Sequence, residues 1–264
     1  PMNRAFIILI LSILVSSFSA WSMERNDSVL VLTGRDVKPY GYADRDDVAK
    51  IIVEEGVTEI GEYAFLGCGN VREITLPSTL RKIGEGAFRE CGSLRSLAIP
   101  SGVTEVPRYM CAWCKGLQSV TLPKGLKDIG SHAFAYCSAL EGMALPIGLI
   151  HIGSNAFSFC SALRDIDVPS TVQELESYVF SDCVSLARVV LPANNKLLGE
   201  LLFTGCHSLR DIVCMSAYPP PFDCDSPLFD PSENFMYREI RLVIPSASAS
   251  RYRKAKVWRM FFEK

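Results

Sequence analysis

The chain has 264 residues, 48% of them hydrophobic, and carries 27 basic and 29 acidic side chains for a formal net charge of −2. This length allows one or two domains, and the apolar content allows a large core. The near balance of charge argues against functions that need a strongly basic surface, such as binding nucleic acid or an anionic membrane.

The first 20 residues are predicted to be a signal peptide, residues 1–20. A short basic start at Asn3-Arg4 precedes the apolar run 5–15, and small residues follow up to a cleavage position near Ala20. The apolar run is shorter than the roughly 20 residues that cross a bilayer, although an uncleaved membrane anchor is the alternative. No second candidate span follows. We therefore expect a secreted or cell-surface protein whose mature part has no membrane span.

Residues 21–47 are predicted to form an N-terminal cap. Residues 28–33 favour a strand, and residues 43–49 suit a short helix that begins at Asp44. At 50–53 the chain enters a degenerate copy of the repeat described next, without its Phe and Cys. Such degeneracy is expected at the end of a repeat array, where the outer face must be polar.

Residues 48–215 are organised by a period of 23 residues. Three residue types recur at this spacing: Cys68, Cys91, Cys114, Cys137, Cys160, Cys183 and Cys206; Pro77, Pro100, Pro123, Pro146, Pro169 and Pro192; and Phe65, Phe88, Phe134, Phe157, Phe180 and Phe203, with Cys111 replacing Phe once. A strict period of this length predicts a solenoid in which each repeat packs on its neighbours. One repeat has too little core to fold alone, so the columns should form one continuous core.

The repeat 84–106 shows how one unit is built. The residues expected to point inward are Phe88, Leu94, Leu97, Ile99, Val103 and Val106. Residues 87–91 favour a short helical turn, and the following L-x-x-L-x-L spacing predicts a strand that Pro100 ends, because proline cannot donate to the ladder. A second extended segment ends in Ile-Gly in most repeats, where glycine would allow a sharp corner. The predicted fold class is an α/β solenoid with short strands, short helical turns and terminal caps.

Residues 216–264 are predicted to be a proline-rich loop followed by a C-terminal cap. The period breaks at the Pro-rich run 218–222, and a strand resumes at 240–245. Ser246 can begin a final helix, in which four apolar residues recur every three positions and cover the open end of the stack: Tyr252, Ala255, Trp258 and Phe261. The basic residues of 251–264 are expected on the solvated face of this helix, and contact with a membrane surface is the alternative.

The ten cysteines are expected to be mostly reduced. Successive turns of a solenoid lie about 4.8 Å apart, which is within bridging range, but equivalent side chains on stacked turns point the same way. That arrangement suits a packed column better than disulfides, because a buried thiol behaves as a small hydrophobic group with a weak donor. Cys214 and Cys224 lie off this Cys ladder and could bridge each other.

No catalytic group, metal site or cofactor site is predicted. The three histidines, His132, His151 and His207, occur in no nucleophile elbow, zinc-type spacing or Gly-rich phosphate loop. Cys111-x-x-Cys114 has the spacing of a redox or metal motif, but it arises where Cys replaces the lattice Phe, so we interpret it as structural. The chain is therefore not expected to be an enzyme.

Two kinds of column are candidates for recognition. Solvent-facing strand positions form an open surface of small or mixed residues: Glu73, Ser96, Ser119, Gly142, Asp165, Arg188 and Asp211 in one column, and Thr75, Ala98, Thr121, Ala144, Asp167, Val190 and Val213 in the other. Trp113, Tyr136 and Phe159 precede the ladder cysteine on three adjacent turns. We predict that these three aromatic residues bind a partner. The alternative is that they pack on one another and shield the edge of the repeat.

The repeat resembles the BspA-like type of leucine-rich repeat through the pattern Ile83-Gly84-x-x-Ala87-Phe88-x-x-Cys91-x-x-Leu94-x-x-Leu97-x-Ile99-Pro100. The resemblance covers about 48–214 and the C-terminal end, with departures such as Pro107 for Gly and Cys111 for Phe. Known members are secreted or surface proteins that resemble adhesins and interaction scaffolds, not enzymes. The resemblance implies protein–protein or glycan binding at a cell surface or in extracellular matrix; the alternatives are a purely structural envelope or matrix component and, more remotely, a secreted enzyme.

Overall fold

The computed structural model describes residues 28–194, 197–222, 228–233 and 235–263. The predicted signal peptide and Cys224 lie outside the described residues. The described chain forms a parallel β-solenoid of about 8 turns with few helices, which confirms the predicted solenoid and its period.

Two rows of short parallel strands run along the solenoid. The first row, called sheet A here, comprises three hydrogen-bonded groups: Ser28–Leu32, Val48–Val53 and Glu73–Thr75; Ser96–Ala98 and Ser119–Thr121; and Asp165–Asp167, Arg188–Leu191, Asp211–Cys214 and Arg241–Val243, with Gly142 joined to Asp165 by a single bridge. The second row, called sheet B, comprises two groups: Asp36–Val37, Glu59–Ile60 and Lys82–Ile83; and Glu105–Val106, Asp128–Ile129, His151–Ile152, Glu174–Leu175 and Leu197–Leu198. Within the repeats, partners lie one period apart, as Ser96 pairs with Ser119 and Asp128 with His151.

Turn segments, not α-helices, connect each strand of sheet B to the next strand of sheet A in the described repeats. Successive backbone N–H groups there alternate between two kinds of partner. Phe88 N donates to Met110 O of the next turn at 2.9 Å, whereas Arg89 N donates back to Gly86 O at 3.0 Å. The predicted helical turns are therefore single hydrogen-bonded turns, because half of their donors bind the neighbouring repeat.

The core is a stack of identical side chains along the solenoid. Rings in the Phe column are buried and nearly parallel, with centroids of Phe134 and Phe157 at 5.5 Å and of Phe157 and Phe180 at 5.8 Å. Phe157 and Phe180 are each covered on both faces by neighbouring rings, and the buried Cys111 fills the one position of the column without a Phe, so the column excludes water from the centre of the repeats.

The thiols of the Cys ladder point in the same direction in every turn. Each buried Sγ lies 3.0–3.4 Å from a backbone carbonyl 26 residues earlier, as from Cys160 to Phe134 O. Burial raises the pKa of the Cys160 thiol to about 12. Each thiol can therefore serve as a weak hydrogen-bond donor to the turn before it, in addition to filling space.

The glycine that follows most strands of sheet B is needed for a different reason from the predicted one. None of these glycines has a positive φ. Instead, a Cβ at Gly84 would lie 2.4 Å from Glu62 N, and one at Gly199 would lie 2.3 Å from Glu176 C. Glycine is therefore required by the close approach of the preceding turn.

The ends of the solenoid are closed by irregular structure. Residues 43–49 do not form the predicted helix, because turns lead directly into the strand that begins at Val48. The C-terminal cap contains the short helices Pro231–Glu233, Met236–Glu239, Ser246–Ser248, Ala249–Tyr252 and Trp258–Phe262. Tyr252 and Trp258 are buried there, with ring centroids 5.3 Å apart. The Tyr252 hydroxyl donates to Ser216 O at 3.1 Å, and Trp258 Nε1 donates to Pro220 O at 2.9 Å. The predicted single final helix is therefore divided into short segments. No helix in the described part of the chain is long and apolar enough to cross a membrane.

Thiol titration tests the predicted Cys ladder. No disulfide joins the nine cysteines that lie in the described residues. Unreduced protein that has just been unfolded should show at least seven free thiols among its ten cysteines. The folded protein should react slowly with a thiol reagent, because burial disfavours the thiolate. Detection of four or more disulfides would contradict this prediction.

Candidate functional site

Every turn segment contains two residues with positive φ, four positions apart. The second of these positions is the column before the ladder cysteine, where φ is 62° at Trp113, 62° at Tyr136 and 59° at Phe159. Bulky residues rarely adopt this left-handed conformation, which costs about 1 kcal/mol or more per residue. Hydrogen bonds of 2.8 Å from each of these three N–H groups to the next turn hold the backbone in place.

Trp113, Tyr136 and Phe159 form one stack, called here the aromatic ridge. Ring centroids of Trp113 and Tyr136 are 4.8 Å apart at 7°, and those of Tyr136 and Phe159 are 4.3 Å apart at 4°. Trp113 and Tyr136 are half-buried, and 39% of Phe159 is exposed. The ridge is thus both internally stacked and open to solvent along one side.

A second stack beside the ridge was not predicted. Tyr109 and His132 occupy the other left-handed column, with ring centroids 4.8 Å apart. The guanidinium of Arg89 lies 4.7 Å from the centroid of Trp113 and 5.8 Å from that of Tyr109. Partial burial, and then the charge of Arg108, lower the pKa of His132 and so favour its neutral form. The feature of the sequence that could have predicted this stack is the spacing of 23 residues between Tyr109 and His132.

The ridge offers mainly ring edges to a partner; among the described residues, its only ring face without a ring or guanidinium over it is the face of Phe159 opposite Tyr136. Tyr136 is covered on both faces by its neighbours, and Arg89 covers the outer face of Trp113. Within the part of the chain that the structure describes, neither Trp113 Nε1 nor the Tyr136 hydroxyl has a hydrogen-bond partner. The ridge therefore combines apolar edges with two polar groups available for an external partner.

The outer face of sheet A is open, as its residue columns suggested. Ion pairs join neighbouring strands toward both ends: Lys50 Nζ lies 2.7 Å from Glu73 Oε1 near the N-terminal end. Near the C-terminal end, Arg188 Nη1 lies 2.7 Å from Asp167 Oδ1 and Arg241 Nε lies 2.6 Å from Asp211 Oδ1. The strands Ser96–Ala98 and Ser119–Thr121, between these two regions, expose only small, uncharged side chains. This face lacks a large anchor residue at its centre.

Sequence reasoning missed a cluster of charged side chains on sheet B. His151 Nδ1 lies 2.7 Å from Asp128 Oδ2, and His151 Nε2 lies 2.9 Å from Glu176 Oε1. The other oxygen of Glu176 accepts hydrogen bonds from the N–H and the hydroxyl of Ser154, at 2.7 and 2.6 Å. The period could have predicted this cluster in part, because Asp128, His151 and Glu174 follow one another at intervals of 23 residues and so lie on adjacent turns.

The carboxylates favour the charged form of His151. The hydrogen bond to Asp128, opposed by partial burial and reinforced by Glu176, raises the pKa of His151 to about 9. Partial burial would raise the pKa of Glu176, but the hydrogen bonds from Ser154 and His151 outweigh it and lower that pKa. At pH 7 the cluster is a protonated imidazole between two carboxylates.

The formal C-x-x-C motif has no feature of a reactive site. Cys111 and Cys114 are both fully buried in the core. Burial, and then the neighbouring Cys114, raise the pKa of Cys111 well above its ordinary value. Because the thiolate is the reactive and metal-binding form, this environment favours a structural role.

Comparisons with known proteins agree with the repeat architecture. Residues 35–146 and 127–218 match the BspA type leucine-rich repeat region, in 6 copies. The chain is similar to the solved leucine-rich repeat protein of T. pallidum, with 32% identity over 62% of this chain and 68% of that one and a TM-score of 0.47. No curated protein matches the chain.

Two other solved structures are more distant in sequence. A leucine-rich repeat protein from Bacteroides ovatus has 21% identity over 85% of this chain and 74% of that one, with a TM-score of 0.47. A leucine rich cell surface protein from Faecalibacterium prausnitzii has 19% identity over 87% of this chain and 80% of that one, with a TM-score of 0.46.

Proposed function

Because the chain belongs to the BspA type of leucine-rich repeat proteins, we propose that it is a secreted or cell-surface protein that binds a partner through the aromatic ridge. The observation that carries this proposal is the partly exposed stack of Trp113, Tyr136 and Phe159 on three adjacent turns. Extended surfaces of repeat proteins are commonly used for recognition.

The ridge differs from the rest of its column, which contains Gly67, Glu90, Asp182 and Gly205. Bulky residues with positive φ also occur in the other left-handed column, so the backbone conformation alone does not indicate binding. A binding role is supported by the partly exposed stack of three aromatic side chains on adjacent turns. Large, rigid aromatic side chains are favoured at binding hot spots, and exposed apolar patches commonly mark interaction sites.

The geometry of the ridge favours a protein over a glycan as the partner. A sugar ring stacks on the face of an aromatic ring, but Tyr136 is covered on both faces and Trp113 lies between Tyr136 and Arg89, which leaves one face of Phe159 for such stacking. The exposed edges, the Trp113 N–H and the Tyr136 hydroxyl suit apolar contacts and hydrogen bonds with a protein surface. The proposed function is therefore adhesion or scaffolding by protein–protein contact, with glycan binding as the second candidate.

Replacement of the ridge by asparagine tests the proposal. A variant with Trp113→Asn, Tyr136→Asn and Phe159→Asn keeps a residue type that tolerates positive φ, so its melting temperature should fall by only a few degrees. Its capture by a panel of purified extracellular proteins and immobilised glycans should fall at least ~10-fold relative to the unchanged chain, as expected for a hot spot. Surface plasmon resonance measures capture, and thermal denaturation measures stability.

The matched control is a second aromatic stack in the same backbone conformation. Tyr40 and Tyr63 both have φ of 50°, and their ring centroids lie 5.1 Å apart, outside the ridge. The variant Tyr40→Asn with Tyr63→Asn should retain capture. Unchanged capture by the ridge variant, combined with a large loss of stability, would mean that the ridge only shields the turn segments.

A further inference from the structure

Glu176 occupies a position that other repeats fill with glycine. The column contains Gly61, Gly84, Gly130, Gly153 and Gly199, and Pro107 in the remaining repeat. Backbone of the preceding turn approaches these glycines closely enough to leave no room for a Cβ, as at Gly84. A glutamate in this column is therefore a departure that the packing of the repeat does not call for.

The carboxylate of Glu176 and the imidazole of His151 are both fixed in direction by other groups. Ser154 binds one oxygen of Glu176 through its N–H and its hydroxyl, which leaves Oε1 facing His151 Nε2 at 2.9 Å. Asp128 holds the opposite ring nitrogen at 2.7 Å. A carboxylate on the far nitrogen of a histidine is the usual outer support of a metal-binding imidazole.

We propose that His151, Glu174 and Glu176 bind a divalent first-row transition metal ion, for which zinc is the probe. One ligand atom from each of the three residues lies within 4.8 Å of the other two. An imidazole nitrogen with carboxylate oxygens suits zinc and its neighbours, whereas calcium and magnesium prefer oxygen ligands alone. Asp128 would remain an outer support, and the ion would replace the proton on Nε2, which passes to solvent.

This site departs from the sequence interpretation, in which no metal site was predicted. It also lies apart from the aromatic ridge, because its residues belong to sheet B and the corner after it, not to the middle of the turn segments. Three protein ligands leave one tetrahedral position for water or for a donor from another molecule. The ion would connect the turns that contain His151 and Glu174, so binding should stabilise the folded chain.

The other histidines provide natural comparisons. His207 Nδ1 lies 3.9 Å from Glu233 Oε1, and its side chain is 64% exposed. His132 has no carboxylate among its described contacts, and its Nδ1 lacks a hydrogen-bond partner there. The ladder thiols are buried in the folded protein and are not accessible to an ion. We therefore expect one strong zinc site per folded chain.

Zinc titration of the chelator-treated full chain at pH 7.5 tests the proposal by calorimetry. The unchanged protein should bind one zinc ion and gain thermal stability when the ion is added. Glu176→Gly restores the residue of the other repeats, so it should fold while weakening zinc binding at least ~10-fold. His151→Gln, which keeps a polar side chain of similar size, should weaken it by a similar factor.

Two controls separate this site from surface charge. Glu105→Gln changes an acidic residue that lies in the column of Asp128, His151 and Glu174 but has no histidine beside it. His207→Gln changes the most exposed histidine. Both variants should bind zinc like the unchanged protein. Cobalt substitution gives a second readout, since visible absorption bands report nitrogen and oxygen coordination independently of stability. Failure of the unchanged chain to bind zinc would overturn the proposal, and so would a zinc affinity in Glu176→Gly and His151→Gln equal to that of the unchanged protein.

Discussion

Deletion of residues 130–152, one full period, should leave a shorter solenoid that still unfolds cooperatively. The deletion joins Ile129 to Gly153, which recreates the Ile-Gly corner, and allows Asp128–Ile129 to pair with Glu174–Leu175. Because each repeat contacts mainly its neighbours, the stability of the array is close to a sum over repeats and their interfaces. The free energy of unfolding should therefore fall by about the contribution of one repeat and its interface with a neighbour.

Deletion of half a period, residues 130–140, should leave a chain that does not fold. Every column on the C-terminal side would fall out of phase with the columns before it, so polar residues would face the Phe and Cys columns. Each buried apolar side chain that becomes exposed in this way lowers the free energy of unfolding by about 1.5–3 kcal/mol, and the total for a typical protein is only about 5–15 kcal/mol. Urea unfolding followed by circular dichroism distinguishes the two deletions, and equal stability would contradict the repeat architecture.

Phe157→Ala should destabilise the protein by about 3–5 kcal/mol, the usual cost of removing a fully buried phenylalanine. Phe157 is completely buried and stacks on Phe134 and Phe180 at 5.5 and 5.8 Å. The cavity would interrupt a continuous column, and the neighbouring turns cannot close it without leaving their hydrogen bonds with one another. The free energy of unfolding from urea titration measures this effect.

Phe159→Ala is the matched control, two residues along the same turn. Phe159 is 39% exposed and contacts Tyr136 on one face. Its removal should cost no more than about 1 kcal/mol, the order of a single aromatic stacking contact. If both substitutions destabilised the chain equally, the assignment of Phe157 to the core and Phe159 to the exposed ridge would be wrong.

The period of the sequence was sufficient to predict which residues are neighbours along the solenoid. In a stack of equal repeats, residues 23 apart lie on adjacent turns, so Trp113 with Tyr136 and Phe134 with Phe157 could be paired from the sequence. The same rule pairs Asp128 with His151, but the sequence prediction did not extend it to the polar positions of the second extended segment. Apolar columns were easier to interpret because burial leaves a clear pattern.

Contacts between different columns could not be predicted in this way. Glu176 reaches back to Ser154 and His151 across two columns, and the direction of its side chain depends on the local path of the chain. The distance of 4.8 Å between the ring centroids of Trp113 and Tyr136 follows from the spacing of the turns. The exposure of Phe159, in contrast, depends on the packing around it. The candidate zinc site therefore required the tertiary structure.

By itself, then, the sequence determined the solenoid, its period, its core columns and the residues of the aromatic ridge, because a strict repeat converts spacing along the chain into adjacency in space. Only the tertiary structure decided the conformation of the turn segments and the reason for the glycine column. Residues 87–91 have local preferences for a helix, but two of their N–H groups bind the next turn: Phe88 N donates to Met110 O and Glu90 N to Ala112 O. Hydrogen bonds and close approaches between turns are long-range contacts, and local preference does not report them.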